Sequence, residues 1–520
     1  MKKTYLVFLL FFGLLSFAQT NSPAAPGTPQ QPHAAPTPQE PPSAPSVPSA
    51  QSPEKPSLAP KHIDTEAPQK EGAQDAELQK DPQKAHKITA IEAKELFQSV
   101  DEILHFAGTD TLLPVKHDVK KAIVSREQVG KYIDDKFKDD VDRIRFERSE
   151  LVLKKFGLLP RKFDLHNFLI KLLSEQVAGY YDEKSKTMNL LDWIDPEMQR
   201  PVMAHELTHA LQDQSFDLAK MTKHDEEIEK RGLEDMDAMI RNDEESTCRS
   251  AVLEGQAMIV LLDYVLAPAG RSAETAPQMV DMMAASMAKS QDSPVFDSAP
   301  LLLQEELTFP YKQGMVFIKE LLVSGGKKLA YTGVLGRMPQ TTREVLEPKE
   351  YLAGHREPPL LLPDVGFLKK DFEPFDAGAV GELDVNILLK MYTEQAVANR
   401  LSTEWRGGSY YAAGRKKAKP EDGNATAHIG LFYVSKWATD AAAQEFAKIY
   451  GSALAKRYND LKSAPADPAH PGLEKYSSAD GLIFIQQTGN TVVAAESFDA
   501  DVAQKLIEAG LKQTAAGNKQ

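Results

Sequence analysis

The segment Ala204-His205-Glu206-Leu207-Thr208-His209-Ala210 sets two imidazoles four residues apart, with a carboxylate beside the first. On a helix, positions i and i+4 share a face, so both imidazoles can reach one ion. Zinc is the natural occupant of such a pair. Glu206 follows His205 directly, so it flanks the ion instead of binding it. From there it can take a proton from water, whose pKa zinc lowers towards about 7. The chemistry this spacing serves is hydrolysis, with His205 and His209 as metal ligands and Glu206 as general base. Met203, Leu207, Ala210 and Leu211 give the helix an apolar side.

A catalytic zinc site wants three protein ligands and an open position. The chain has one cysteine, Cys248, so four-cysteine sites and internal disulfides are excluded. A third histidine six residues past His209 would make a metzincin, but Gln212 and Ser215 hold the two diagnostic positions. A later carboxylate is therefore expected. Glu229 lies near the thermolysin spacing, within the charged run Asp225 to Arg231, which reads as a solvated face. Glu254 is a lone acid in the apolar run Ala251 to Ala257. Burying a carboxylate requires a cation, and this favours Glu254 as the third ligand. The competing use of Glu254 is pairing with Arg249. Gly255 and Ala257 would let its helix approach the active-site helix closely.

Peptide hydrolysis also needs a donor for the oxyanion. Tyr311 is the first candidate, with Phe309-Pro310-Tyr311 read as opening a helix; Tyr180, Tyr181 and His224 follow. Asp213, one turn past His209, is placed either to orient that imidazole or to cap. The polar turn Glu183 to Lys186 separates two short strands, and this hairpin offers an edge for an extended peptide.

These segments resemble the gluzincins, zinc peptidases with H-E-x-x-H and a glutamate third ligand. The closer similarity is to largely uncharacterised bacterial secreted metallopeptidases. It rests on residues 176–182, 204–214 and 253–255, on Phe309-Pro310-Tyr311 with Gly314, on 339–351 and on Trp405 to Gly408. The resemblance spans about residues 90–500. It implies one zinc ion and ligand, base, ligand and ligand roles for His205, Glu206, His209 and Glu254.

The elements that must position these residues follow from periodicity. Residues from about Ile88 to Leu173 read as helices, with a charged face at Asp134 to Arg148 and a break at Gly157-Leu158-Leu159-Pro160. The active-site helix is expected from Pro201, a good first-turn residue, to Gln212. A long apolar helix should cover Glu245 to Leu266, and Gly325-Gly326 should break the helices over 300–350. Beyond residue 401, strands at Ser409 to Ala413, Ile429 to Val434, Leu482 to Gln486 and Thr491 to Ala495 alternate with helices at 440–458 and 499–511. Gly489-Asn490 supplies a hairpin turn. The expected fold class is α+β: a mainly helical, zincin-like catalytic domain with a small sheet (86–400) and a smaller C-terminal α+β domain (401–515).

The N-terminal part is different. Lys2-Lys3 and the apolar run Tyr5 to Phe17 read as a secretory signal over residues 1–18. Residues 19–85 read as a disordered linker, since 15 of the 34 prolines fall in 21–82. The expectation is an exported protein, periplasmic or extracellular, without stable membrane insertion after cleavage. The apolar run Ala257 to Ala267 contains Asp263 and reads as a buried helix. A net charge of −14 argues against nucleic acid as a partner. A peptide or protein substrate is the leading expectation. The alternatives are a degenerate metallopeptidase that binds peptides or envelope partners, and a zinc hydrolase of other substrates. The first is disfavoured because every residue needed for chemistry is present.

Overall fold

Thr89 begins the described helices with a reciprocal cap: Glu92 N–H donates to Thr89 Oγ1 (3.3 Å), and Thr89 N–H donates to Glu92 Oε2 (2.8 Å). The computed structural model describes residues 87–136, 140–176, 179–287, 293–416, 425–468 and 470–517. The expected signal segment and linker lie outside the described residues, and so do most side chains of the expected charged face at Asp134 to Arg148.

In chain order the first elements are α1 (Ala90–Thr111), β1 (Lys120–Val124), α2 (Arg126–Lys136), α3 (Asp140–Phe156) and α4 (Leu165–Gln176). Gly157, at φ +75°, turns the chain out of α3 at the expected break. β2 (Tyr180–Asp182) and β3 (Thr187–Leu191) form the expected hairpin. β1 was not expected; it runs parallel to β3, giving the order β1-β3-β2 with β2 at an edge.

Three long helices follow: α5 (Pro196–Phe216), α7 (Met236–Leu266) and α9 (Leu301–Lys327), with α6 (Leu218–Arg231) and α8 (Gln278–Ser286) between them. Asp195 caps α5 by accepting from Glu197 N–H at 2.9 Å, and Pro196 takes the first-turn position. The helix therefore starts a turn before Pro201, which sits inside it. α7 is long and apolar enough to cross a membrane by length and composition, but 72% of its most apolar window is buried within the fold. α9 breaks at Gly326 (φ +64°), as expected, and leads into a π-helical turn, Lys328–Gly333.

Two short helices, α10 (Thr342–Leu346) and α11 (Pro348–Ala353), precede the large sheet. Its elements are β4 (Phe372–Ala379), α12 (Glu382–Tyr392), α13 (Gln395–Ser402), β5 (Trp405–Arg415), β6 (Ile429–Trp437), α14 (Asp440–Arg457), β7 (Lys462–Ser463), β8 (Leu473–Ser478), β9 (Gly481–Thr488), β10 (Thr491–Glu496) and α15 (Ala500–Gly517). The order is β4-β5-β6-β10-β9-β8-β7, antiparallel throughout. Gly489, at φ +54°, makes the β9–β10 turn.

The fold is α+β, with a helical part carrying a small sheet and a C-terminal part built on the large one. The large sheet takes in β4, so it begins upstream of residue 401, where the sequence reading set the boundary. Its central strands β5, β6 and β10 are buried on both faces because helices cover both. Leu431 and Tyr433 join the core that holds Phe446 and Leu454 of α14. Phe432 and Val434 join the core that holds Leu506 and Ile507 of α15. The first of these cores also contains Leu207 of α5 and Met258 of α7. The sheet and the helices of the site thus share one apolar interior. A fully buried polar group pins the join: Lys155 of α3 donates to Ser497 Oγ (2.6 Å) and Thr426 O (2.9 Å), with Asp480 at 3.4 Å.

Candidate metal centre

α5 presents His205 and His209 on one face, and α7 crosses it with Glu254 facing them. His205 Nε2 lies 3.0 Å from Glu254 Oε2 and 3.0 Å from His209 Nε2, and His209 Nε2 lies 3.4 Å from Glu254 Oε2. Ligands in a tetrahedron about zinc, each at roughly 2.0–2.1 Å, stand about 3.3 Å apart. The three atoms thus outline one face of such a tetrahedron, compressed by a few tenths of an ångström. His205 and Glu254 are each 1% exposed. Glu254 Oε2 makes no hydrogen bond among the described residues; what faces it is the pair of imidazole nitrogens. A buried carboxylate oxygen aimed between two imidazoles fits a divalent cation. These three are the one group of His, Cys, Asp and Glu among the described residues with metal-binding geometry.

The competing partners resolve as follows. Arg249 Nη2 donates to both oxygens of Asp225, at 2.8 and 2.7 Å, so it serves Asp225 and not Glu254. Glu229 is buried on α6, not solvated as its charged neighbours suggested, and it stands outside the metal-binding group. Gly255 does allow a close helix approach, but to α9 and not to α5. A Cβ on Gly255 would overlap the backbone of Gly314, and one on Gly314 would overlap the carbonyl of Ala251. That crossing fixes α7 one residue from Glu254.

Glu206 points to the small sheet. Its Oε2 accepts the backbone N–H of Tyr181 at 2.8 Å. Two more ties hold the hairpin against α5: Gln199 bonds Leu191 and Ile194 of the β3 end, and Tyr181 Oη donates to Asp213 Oδ2 at 2.7 Å. Asp213 also accepts from Lys186 Nζ (2.6 Å) and from the Leu218 N–H that opens α6 (3.1 Å), so it caps and does not orient His209. That second task falls to Gln212, whose Oε1 lies 2.8 Å from His209 Nδ1.

Tyr311 lies inside α9, because Pro310 is accommodated mid-helix instead of opening one. Its ring is nearly parallel to His205, with centroids 6.3 Å apart. Tyr180 stacks on Tyr132 of α2 at 4.6 Å. Burial first, and then the nearby acids, among them Glu206, raise the Tyr132 phenol. Tyr132, Gln212 and Gln256 are the neighbours of the site that sequence reasoning missed. Only Gln212 carried a signal, as an amide one turn past the second histidine. His224, on α6, stands outside the metal-binding group.

Charge in the cluster is unevenly held. Burial lowers His205 to about 4, so it is neutral and ligand-competent. Burial works against a charged His209 too, but the Glu254 carboxylate outweighs it and lifts the imidazole to about 9. Burial would raise Glu254, yet the His209 and His205 imidazoles hold it at about 2. Glu206 is pushed up to about 8, chiefly by burial. The buried Glu254 carboxylate thus draws positive charge towards His209.

A family described as a domain of unknown function (DUF8575) matches residues 372–507. That span runs from β4 into α15, so it covers the large sheet and not the helices that carry the cluster. No curated protein and no solved structure matches the chain.

Proposed function

We propose that the chain is a zinc-dependent peptidase of the gluzincin type. The observation that carries this reading is the convergence of His205, His209 and Glu254 from two crossing helices, with Glu206 in the adjoining position on α5. A zinc ion held there supplies a Lewis acid for a scissile carbonyl and acidifies water. His205, His209 and Glu254 hold it; two neutral imidazoles and one carboxylate leave a net positive site. Glu206 does the proton work: Tyr181 N–H holds Oε2, and Oε1 takes a proton and later returns it to the leaving amine. Tyr311 is the candidate donor to the oxyanion. β2 is an edge strand, and its Tyr181 N–H points away from β3 towards Glu206. An extended peptide laid along that edge runs past the base, which favours peptides over other substrates. Lys2-Lys3 and the apolar run after them support an exported protein; the intact mass of secreted material tests that.

The decisive experiment compares zinc-loaded wild type with Glu206→Gln on an unfolded protein substrate. Equal zinc content is expected, with turnover lower in the variant by about 10²–10⁴-fold. One observation favours a second reading, a zinc-holding binding protein: His205, Glu206, His209 and Glu254 are all buried. Zinc bound by both proteins with turnover in neither selects that reading.

A further inference from the structure

His209 is the start of a hydrogen-bond chain that runs through two buried amides into the π-helical turn. Gln212 Oε1 faces His209 Nδ1 at 2.8 Å. Gln212 Nε2 donates to Leu253 O (3.1 Å) and to Gln256 Oε1 (2.8 Å). Gln256 Nε2 donates to Ala330 O (2.7 Å) and Tyr331 O (3.0 Å), both in Lys328–Gly333. Both glutamines are fully buried. An amide's two ends look alike in shape, and only its partners decide which way it points. Here the far end of the chain decides. Two backbone carbonyls accept only, so Gln256 must turn its NH2 to them and its oxygen to Gln212. Gln212 must then turn its NH2 to Gln256 and Leu253, and its oxygen to His209. An acceptor at Nδ1 requires a proton there, so in the neutral ring the lone pair is on Nε2, facing Glu254 and His205.

We propose that Gln256 is a positioning residue for the metal centre. Together with Leu253 O it fixes the orientation of Gln212, and through it the Nδ1–H tautomer of His209, with carbonyls of the π turn as its own reference. A π turn is uncommon and often marks a functional position. In this chain it offers two successive carbonyls to one side-chain NH2. The inference rests on the proposed zinc site. It extends that site to a residue on α7, two positions past Glu254, and to an element more than 100 residues from His209 in sequence.

The test is a double-substitution cycle read by zinc affinity under a competing chelator and by the visible spectrum of the cobalt(II)-loaded protein. Gln256→Met keeps the side-chain volume but removes one of the two acceptors of the Gln212 NH2, leaving only Leu253 O to oppose a flip that presents NH2 to Nδ1. A loss of about 10–100-fold in zinc affinity is expected, with an altered cobalt spectrum. Gln212→Glu, with its carboxyl proton given to Leu253 O, offers an oxygen to Nδ1 whichever way it turns. In that background Gln256→Met should cost under about threefold, because nothing remains to be oriented. A packing role for Gln256 predicts the same loss in both backgrounds, and that result overturns the proposal. Should Gln256→Met not fold, nitrogen-15 NMR of wild type supplies the answer: His209 bound through Nε2 with a protonated Nδ1 is required, and binding through Nδ1 overturns it. Wild type that takes up no zinc defeats the parent reading instead, so the two failures are distinct.

Discussion

Gly255 of α7 and Gly314 of α9 meet backbone to backbone, with no room for a Cβ on either. The contact sits beside Glu254 in sequence, so helix spacing and ligand position are one constraint. Gly255→Ala must push the helices apart, since what blocks the methyl is main chain and not a flexible side chain. Overpacking of this kind costs about 1–3 kcal/mol. Denaturant unfolding should show that loss, and zinc titration should show weaker binding. Gly232→Ala makes a useful contrast, because no atom lies within 4 Å of a Cβ there; its φ of +52° costs backbone energy without touching the site.

Glu254→Ala should abolish stable zinc binding, as should His205→Ala and His209→Ala. Glu229→Ala should keep about one zinc per chain. Because Glu229 is buried, that variant is expected to lose stability while keeping metal. Metal analysis beside thermal unfolding separates the two effects. Loss of zinc from Glu229→Ala with retention in Glu254→Ala would reverse the ligand assignment.

Zinc uptake should release protons. At pH 7 the metal-free protein carries a proton on His209, lifted to about 9, and one on Glu206, raised to about 8. A cation that takes the His209 lone pair expels the first and lowers the pKa of Glu206. Apparent zinc affinity should therefore climb at least about tenfold per pH unit between pH 6 and 8 and level off above about pH 9. Calorimetric titration in buffers of differing ionisation heat should count about one to two protons per ion. A count of zero contradicts the proton-storing cluster.

Lys155→Met removes the cation from a fully buried network, leaving Thr426 O and Ser497 Oγ without their donor. Asp480 keeps Arg161 at 3.0 Å. Breaking a buried pair on one side costs about 3–5 kcal/mol, and the retained Arg161 contact sets the expectation at the lower end. Burial lowers Lys155 to about 8, so its folded form gives up its proton before the unfolded form does. The wild type should therefore gain stability from this group as pH rises from about 8 towards about 10.5. Midpoints of urea unfolding across that range, wild type beside Lys155→Met, check the difference.

The parts of this molecule legible in sequence are those where one residue type at one spacing has a local meaning. His205 and His209 declare a shared helix face, and a lone acid among Leu253, Gly255 and Ala257 declares a need for charge. Gly489-Asn490 and Gly326 announce their turns through backbone freedom. What was illegible depends on partners far along the chain. Lys120-Lys121-Ala122-Ile123-Val124 is a strand only because β3 is there to pair with it. Gly255 signals a close approach without naming α9 as the neighbour. Pro201 and Pro310 read as helix starts, yet surrounding packing carries each helix through them. Gln256 is a neutral amide 44 residues from Gln212, and nothing local distinguishes it from a surface glutamine.

α7 also bears two buried acids near its start. Asp243 Oδ2 accepts Ala379 N–H at the end of β4 (3.1 Å), and Glu244 Oε2 accepts the N–H and hydroxyl of Thr342 at the start of α10 (2.7 and 3.0 Å). Glu254 lies ten residues further along the same unbroken helix, about 15 Å away at 1.5 Å per residue. A helix this length is stiff. The strand edge of the large sheet and the carboxylate facing the histidines are therefore two points on one lever. Gly314 of α9 meets the same rod one residue past Glu254, at Gly255.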